Sequence, residues 1–301
     1  MNSFPTFLVN KLITEYGENT YNQIINGYTK KRKVSIRVNT LKNSINKIKK
    51  GLDLNNIEYK ESCFWENGLI IENVNEEAIR NLGFYENGEI YLQSLSSMLP
   101  PLILDPKEND DILDMTAAPG SKTTEMAIIS NNKSHITACE INRVRFERLK
   151  YNLEKQGAKC VFAMQKDARQ IDDFFAFDKI LLDAPCTGTG TISINDKNLN
   201  KIYTKELLAK STKSQKALIS KAIKVLKKGG ELIYSTCSVL KEENEGIIND
   251  LLKNNNNIEL VNICLKNIEK LPQLPTSLEG TICIMPTEEY EGFFVAKLRK
   301  K

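Results

Sequence analysis

From Asp110 onward, short apolar runs alternate with longer helical stretches, and this alternation narrows the possible folds more than any other feature of the chain. Residues 112–115, 135–140, 160–164, 177–183 and 231–235 read as five strands. A helix from about Lys122, one over 143–156 stopped by Gly157, one over 205–226 ended by Gly229-Gly230, and one over 242–252 lie around them. A strand that follows a helix back across the sheet runs parallel to its predecessor. The pattern therefore predicts an α/β fold with a mostly parallel, doubly wound sheet. Residues 292–298 read as a closing strand, antiparallel to one at 282–285.

The start of the chain reads differently. The first thirty residues suggest short helical turns, 34–40 alternates like a strand, 43–52 suits a helix, and 57–60 and 68–71 are extended. This is a small α+β unit, expected to end near the Pro100-Pro101 break. The expected division is 1–104 and 105–301, and 301 residues accommodate two such domains.

Composition removes several functions. The seven cysteines form no Cys-x-x-Cys pair and His135 is the only histidine. A disulfide framework, a Cys/His zinc site and a Ser-His-Asp hydrolase are therefore not expected, and no metal is. No apolar run is long enough to span a bilayer, and the start lacks a secretory pattern, so a cytoplasmic monomer with no membrane partner is expected. The net charge of +4 is compatible with nucleic acid without arguing for it.

Ligands of doubly wound sheets sit at the carboxyl ends of strands. The first strand ends in Asp114 and leads into Thr116-Ala117-Ala118-Pro119-Gly120-Ser121-Lys122-Thr123. Small residues admit a ligand close to the backbone, and a helix N-terminus follows, which favours an anionic group. Glu140, twenty positions after Gly120, ends the second strand and suits ribose hydroxyls. Asp167 follows the third strand, placed for an adenine amino group, and Asp183 ends the fourth. An adenosyl ligand with a carboxylate tail, S-adenosylmethionine, fits this set. Two look-alikes fail: Gly120-Ser121-Lys122-Thr123 lacks the spacing of a P-loop, and Glu72-Asn73-Val74 lies upstream of the cofactor loop.

Cys186, in Asp183-Ala184-Pro185-Cys186, follows the fourth strand, and Cys237, in Ser235-Thr236-Cys237-Ser238, follows the fifth. Neighbouring strands would turn both thiols toward one pocket, whereas Cys63, Cys139, Cys160, Cys264 and Cys283 read as small buried hydrophobes. Two thiols and a carboxyl beside a methyl donor match a particular chemistry. Cytosine C5 is too weak a nucleophile for direct methylation. A thiolate that adds at C6 gives C5 carbanion character, and the C5 proton must then leave so that the thiol is expelled. An acid near N3, the role suited to Asp183, balances charge during attack.

In these stretches the chain resembles the RsmB/Sun-type RNA cytosine-5 methyltransferase family. The match runs through Arg37-Val38-Asn39-Thr40-Leu41-Lys42, Gln93-Ser94-Leu95-Ser96-Ser97-Met98, the 117–123 loop, the Pro-Cys and Thr-Cys-Ser loops and Gly292-Phe293-Phe294-Val295-Ala296, in family order. The resemblance implies a Rossmann-like class I methyltransferase sheet with a small RNA-recognition-like domain before it. It implies that Cys237 is the nucleophile and Cys186 assists product release; DNA-type enzymes use the Pro-Cys residue instead, which keeps Cys186 as the alternative. It also implies that Thr116, Ala117, Ala118, Pro119, Gly120, Ser121, Lys122, Glu140, Asp167 and Asp183 hold S-adenosylmethionine, with Arg145 in support and Lys122 also handling protons. Thr116 and Ser121 replace residues common in the family with others of similar size. Residues 192–195 lack the usual basic residues, and 286–291 are unusually acidic.

RNA, as tRNA or rRNA, is the implied partner. Candidate phosphate contacts are Lys30, Lys31, Arg32, Lys33, Arg37, Lys42, Lys47, Lys49 and Lys50, and a second lysine set running from Lys197 to Lys228. Tyr28 and Trp65 are candidate base-stacking residues. Two other readings compete. A non-catalytic RNA-binding or ribosome-assembly factor has no need of both thiols, and an amino or small-molecule methyltransferase leaves them unexplained.

Overall fold

The structure, a computed structural model, describes residues 4–193 and 199–301. In chain order the first part comprises α1 (Thr6–Thr29), β1 (Val34–Val38), α2 (Ile45–Leu54), β2 (Tyr59–Glu61), β3 (Gly68–Ile71), α3 (Glu76–Arg80), α4 (Gly83–Glu86), β4 (Ile90–Leu92) and α5 (Leu95–Leu104). The four strands make one antiparallel sheet in the order β2-β3-β1-β4. With α2 and α3 as crossovers this is the βαββαβ, ferredoxin-like arrangement.

The second part comprises β5 (Asp111–Asp114), α6 (Ser121–Ile129), β6 (His135–Cys139), α7 (Arg143–Gln156), β7 (Val161–Met164), β8 (Phe177–Asp183), α8 (Leu199–Ile202), α9 (Lys205–Val225), β9 (Leu226–Thr236) and α10 (Glu245–Asn254), then β10 (Ile258–Val261), β11 (Gln273–Leu274), β12 (Ile282–Ile284) and β13 (Phe293–Lys300). The order β11-β12-β13-β9-β8-β5-β6-β7, with β10 beside β13, has a parallel centre, β9 to β7, and an antiparallel flank. It is a Rossmann-like doubly wound sheet whose strand order reverses between β5 and β8, where a ligand crevice opens. The closing strand pairs antiparallel with β12 as its sequence predicts.

Local signals account for several boundaries. Asn142 caps α7 by accepting from the Arg145 N–H, and Gly157 ends it at φ +69°. Three expectations are corrected. The first thirty residues form not short turns but two helical segments that meet at Gly17 (φ +77°), because Leu8 and Leu12 before it and Ile24 after it bury into the core of the large sheet. Pro100 and Pro101 do not break the chain but lie inside α5. That helix is enclosed by the two domains, and its Leu95, Met98, Leu99 and Leu104 are fully buried, which offsets the ~3 kcal/mol cost of an interior proline. Helix α10 starts at Glu245 rather than at 242, because Glu243 and Asn244 turn inward to hold the loops described below.

The small sheet has no free face. Ile36, Val38, Leu69 and Ile71 pack into the cluster that includes Ile48 and Leu52 of α2. Ser35, Arg37 and Ile70 alternate onto the other face, where Ile70 joins the α5 cluster. Arg37, fully buried, donates to the Ser121 carbonyl (2.5 Å), Thr124 Oγ1 (2.7 Å) and Gln93 Oε1 (2.7 Å), and lies 3.5 Å from Glu125. It ties β1 to the first turn of α6.

Candidate active site

Parallel register brings the two cysteine loops together. Asp183 at the end of β8 pairs with Ser235 near the end of β9, and each strand is followed within three residues by a cysteine. Cys186 Sγ and Cys237 Sγ lie 3.2 Å apart. The Pro-Cys loop is held by short backbone links: Gly190 N–H donates to the Cys237 carbonyl (2.9 Å), and Gly292 N–H to the Gly190 carbonyl (2.8 Å). A Cβ on Gly190 would stand 1.9 Å from the Gly292 oxygen, so only glycine permits this approach.

Lys122, at the start of α6, reaches the same place. Its Nζ donates to Asp183 Oδ2 (2.7 Å) and Ser97 Oγ (2.7 Å), and Ser235 Oγ donates to Asp183 Oδ1 (2.8 Å). Burial pulls the Lys122 ammonium down, but the Asp183 charge and hydrogen bond outweigh it and hold the group above its ordinary range. The Cys186 thiol is pushed well up by its hydrogen bond to Cys237 and by burial. Either sulfur can donate across this contact.

Four of the cofactor candidates, Thr116, Glu140, Arg145 and Asp167, line a neighbouring cavity of about 140 Å³ with Ile141 and Pro185. Ala117, Ala118 and Gly120 are buried, and Pro119 and Ser121 line a separate cleft beside β4. Thr116 Oγ1 donates to the Asp183 carbonyl (2.8 Å), and Arg145 donates to the Ala118 carbonyl (2.6 Å) and lies 3.4 Å from Glu140. Asp167 is engaged by its neighbour Arg169, whose Nη2 donates at 2.6 Å and holds the carboxyl below its ordinary range. Asp114 lies beneath the loop, accepting from Thr123 Oγ1 (2.7 Å), and burial pushes its carboxyl up to about 6.

Sequence reasoning passed over the support of the Pro-Cys loop. The buried Glu243 carboxylate accepts from Thr187 N–H (2.8 Å), Gln215 Nε2 (3.1 Å) and the Thr187 hydroxyl (2.5 Å). Burial raises this carboxyl, partly offset by the bonds it accepts. No motif marks Glu243. Ser97 and Ser235, by contrast, lie in stretches already singled out for resemblance.

Three comparisons add to this geometry. The family description "16S rRNA methyltransferase RsmB/F" matches residues 101–299, and a ferredoxin-like domain of RsmF/B-like methyltransferases matches 4–76. The chain belongs to the RsmB/F methyltransferase family. It is 38% identical to tRNA (cytosine(49)-C(5))-methyltransferase of Pyrococcus abyssi over 88% of each chain. It is 35% identical to ribosomal RNA small subunit methyltransferase F of a Shewanella species, over 88% of this chain and 56% of that one. The solved structure of a methyltransferase homolog protein from Pyrococcus horikoshii superposes with a TM-score of 0.86 at 31% identity, covering 99% of this chain and 96% of that one. The chain spans 56 to 63% of the length of seven of the curated relatives it matches.

Other sequence expectations for this RsmB/F family member are altered. Arg37 is inside the protein, where it holds α6, and cannot meet phosphate. The acidic 286–291 stretch touches only part of the first basic stretch: Arg32 donates to the Thr287 carbonyl (3.0 Å), and Lys33 pairs with Glu72 (2.6 Å) and lies 3.8 Å from Glu288, while Glu289 pairs with Lys60, outside that stretch. Lys49 is paired with Glu61. In the second set, Lys216 pairs with Asp250 (2.5 Å), Lys221 with Asp173 and Lys227 with Asp178 (2.9 Å). Lys197, with Ile194 and Asn195, lies outside the described residues, as does the Lys201 side chain. Tyr28 is wholly buried and Trp65 packs half-buried against the α5 cluster, so neither presents a stacking face like that of an exposed ring. Cys264 is exposed in the irregular segment after β10, not buried. His135 sits at the amino end of β6, across the sheet from the thiols. No helix among the described residues is long and apolar enough to cross a membrane.

Proposed function

We propose that the chain methylates C5 of a cytosine in RNA, with Cys237 as nucleophile. The observation that carries this is the pair of sulfurs 3.2 Å apart beside the Lys122–Asp183 pair. Cys186 stabilises the Cys237 thiolate by donating to it. Cys237 Sγ adds to cytosine C6 while the Asp183 and Lys122 pair supports the charge that develops at N3. S-adenosylmethionine, when bound, supplies the electrophilic methyl that C5 accepts. Water at the site then takes the C5 proton, the electrons of that bond re-form the C5–C6 double bond, and Cys237 leaves as a thiolate, which Cys186 assists by donating its proton to the departing sulfur.

The chemistry of the residues lining the 140 Å³ cavity suits that donor, whose adenosyl end fills the cavity while the rest lies along the 116–121 loop. Thr116 to Ser121 give a small-residue loop ahead of a helix N-terminus, for a carboxylate. Glu140 offers a carboxylate for ribose hydroxyls, and Asp167 stands beyond it for the adenine edge. Arg145 braces the loop and Glu140 together.

The target is tRNA rather than rRNA, a choice supported by the tRNA enzyme that matches over 88% of both chains. The test is transfer of labelled methyl from S-adenosylmethionine to transcribed tRNA and rRNA, with bisulfite mapping of the product. Cys237→Ala should lose all transfer. Retention of full activity in Cys237→Ala, with loss in Cys186→Ala, would reverse the two roles.

A further inference from the structure

In four-stranded modules of this topology, single-stranded RNA is usually read by aromatic residues on the open sheet face. Here that face is closed by α5 and α6. A strand of RNA must therefore be held elsewhere, and one opening has the chemistry for it. Between β4 and α7 lies a cleft of about 680 Å³, lined among others by Tyr85, Tyr91, Tyr151, Arg80, Arg148 and Lys155. It runs from these residues to Ser97 and Ser121, which flank Lys122, so it opens onto the rim of the thiol site.

Two of its charges lack partners. Arg80 is paired with Glu76, but Arg148 and Lys155 make no ion pair with any described residue, and Lys155 lies against two tyrosine rings. Lys155 Nζ sits 4.0 Å from the centroid of Tyr85 and 5.8 Å from that of Tyr151. Partial burial and the neighbouring Arg80 and Lys42, opposed by Glu86, leave the Lys155 ammonium below its ordinary range. The Tyr151 ring is 61% exposed, on the solvent side of α7. Cations without counter-charges interleaved with tyrosine rings fit phosphates and stacked bases together.

We propose that this β4–α7 cleft binds a nucleotide of the RNA strand next to the cytosine that enters the thiol site, with Arg148 and Lys155 on phosphate and Tyr151 stacked on a base. This rests on the reading of the chain as an RNA methyltransferase. The test measures anisotropy of labelled transcribed tRNA and of a short mixed-sequence single-stranded RNA, titrated with the whole chain across a salt series. Arg148→Ala combined with Lys155→Ala should weaken binding at least tenfold and lower the salt slope by about 1.5. Tyr151→Ala should weaken it about fivefold or more at an unchanged slope. All three positions are at the surface, so calorimetric affinity for S-adenosylmethionine and the melting temperature should match wild type. Binding within twofold of wild type in both variants overturns the cleft. If wild type methylates RNA and the variants do so with unchanged KM, the cleft fails and the methyltransferase reading stands. If wild type binds RNA through the cleft but transfers no methyl, the reverse holds. If wild type binds neither RNA, both fail.

Discussion

At the scale of single residues, the site works by giving similar groups different environments. Cys186 and Cys237 are both thiols at strand ends, and the contact with Cys237 together with burial raises the Cys186 thiol well above its ordinary range. If Cys186 serves release, Cys186→Ala should stall after methyl transfer, and a covalent protein–RNA adduct should accumulate on a denaturing gel. Normal turnover without adduct would remove Cys186 from the chemistry. Under brief alkylation at neutral pH, peptide mapping should find Cys264 modified and Cys186 protected, since one is exposed and the other is raised well above its ordinary range. Asp114 makes a pH prediction. Its native carboxyl, at about 6, lies above its unfolded value of about 3.9. Stability contributed by the neutral form is therefore complete below pH ~4 and is lost as pH rises through 6, by about 3 kcal/mol. Denaturant titrations of wild type and Asp114→Asn should show that difference narrowing toward acid pH; a difference independent of pH refutes it.

At the scale of elements, two contacts fix the site. Arg37 carries the position of β1 into the first turn of α6, the turn that bears Lys122. Arg37→Ala removes three hydrogen bonds made by a buried guanidinium, to Gln93, Ser121 and Thr124, and urea unfolding should show a loss of about 3–5 kcal/mol. Glycine at 190 lets the Pro-Cys loop lie against Gly292 before β13. Gly190→Ala must push the two chains apart; a shift of ~1 Å at Cys186 should lower kcat on the order of 100-fold, with S-adenosylmethionine affinity kept. The same scale shows where local signals fall short. Pro100-Pro101 reads as a break because proline costs a helix a hydrogen bond, and the price is offset only by burial between two domains that no local window contains.

At the scale of the whole molecule, the small domain is fastened to the large one by the closed sheet face, by α5 and by Arg37, and α1 packs into the core of the large sheet. Scanning calorimetry should therefore give one transition for both domains. S-adenosylmethionine at a hundred times its Kd should raise the stability of that single transition by about 2.7 kcal/mol. Two separate transitions, with only one moved by ligand, would show that the domains are not coupled. The sequence by itself determined the strand and helix order of the large domain, because periodicity, caps and glycine stops act within a few residues. It also determined the chemistry available at the strand ends: Lys122, Asp183, Cys186 and Cys237 were all legible as candidates. Only the tertiary structure decided that the sulfurs meet, that Arg37 and Tyr28 are interior, that Lys33 is drawn to Glu72 and Glu288, and that a cationic tyrosine cleft opens beside α7. Those outcomes depend on which distant surfaces exclude water from one another, and burial of that kind is a property of the assembled chain rather than of any stretch of it.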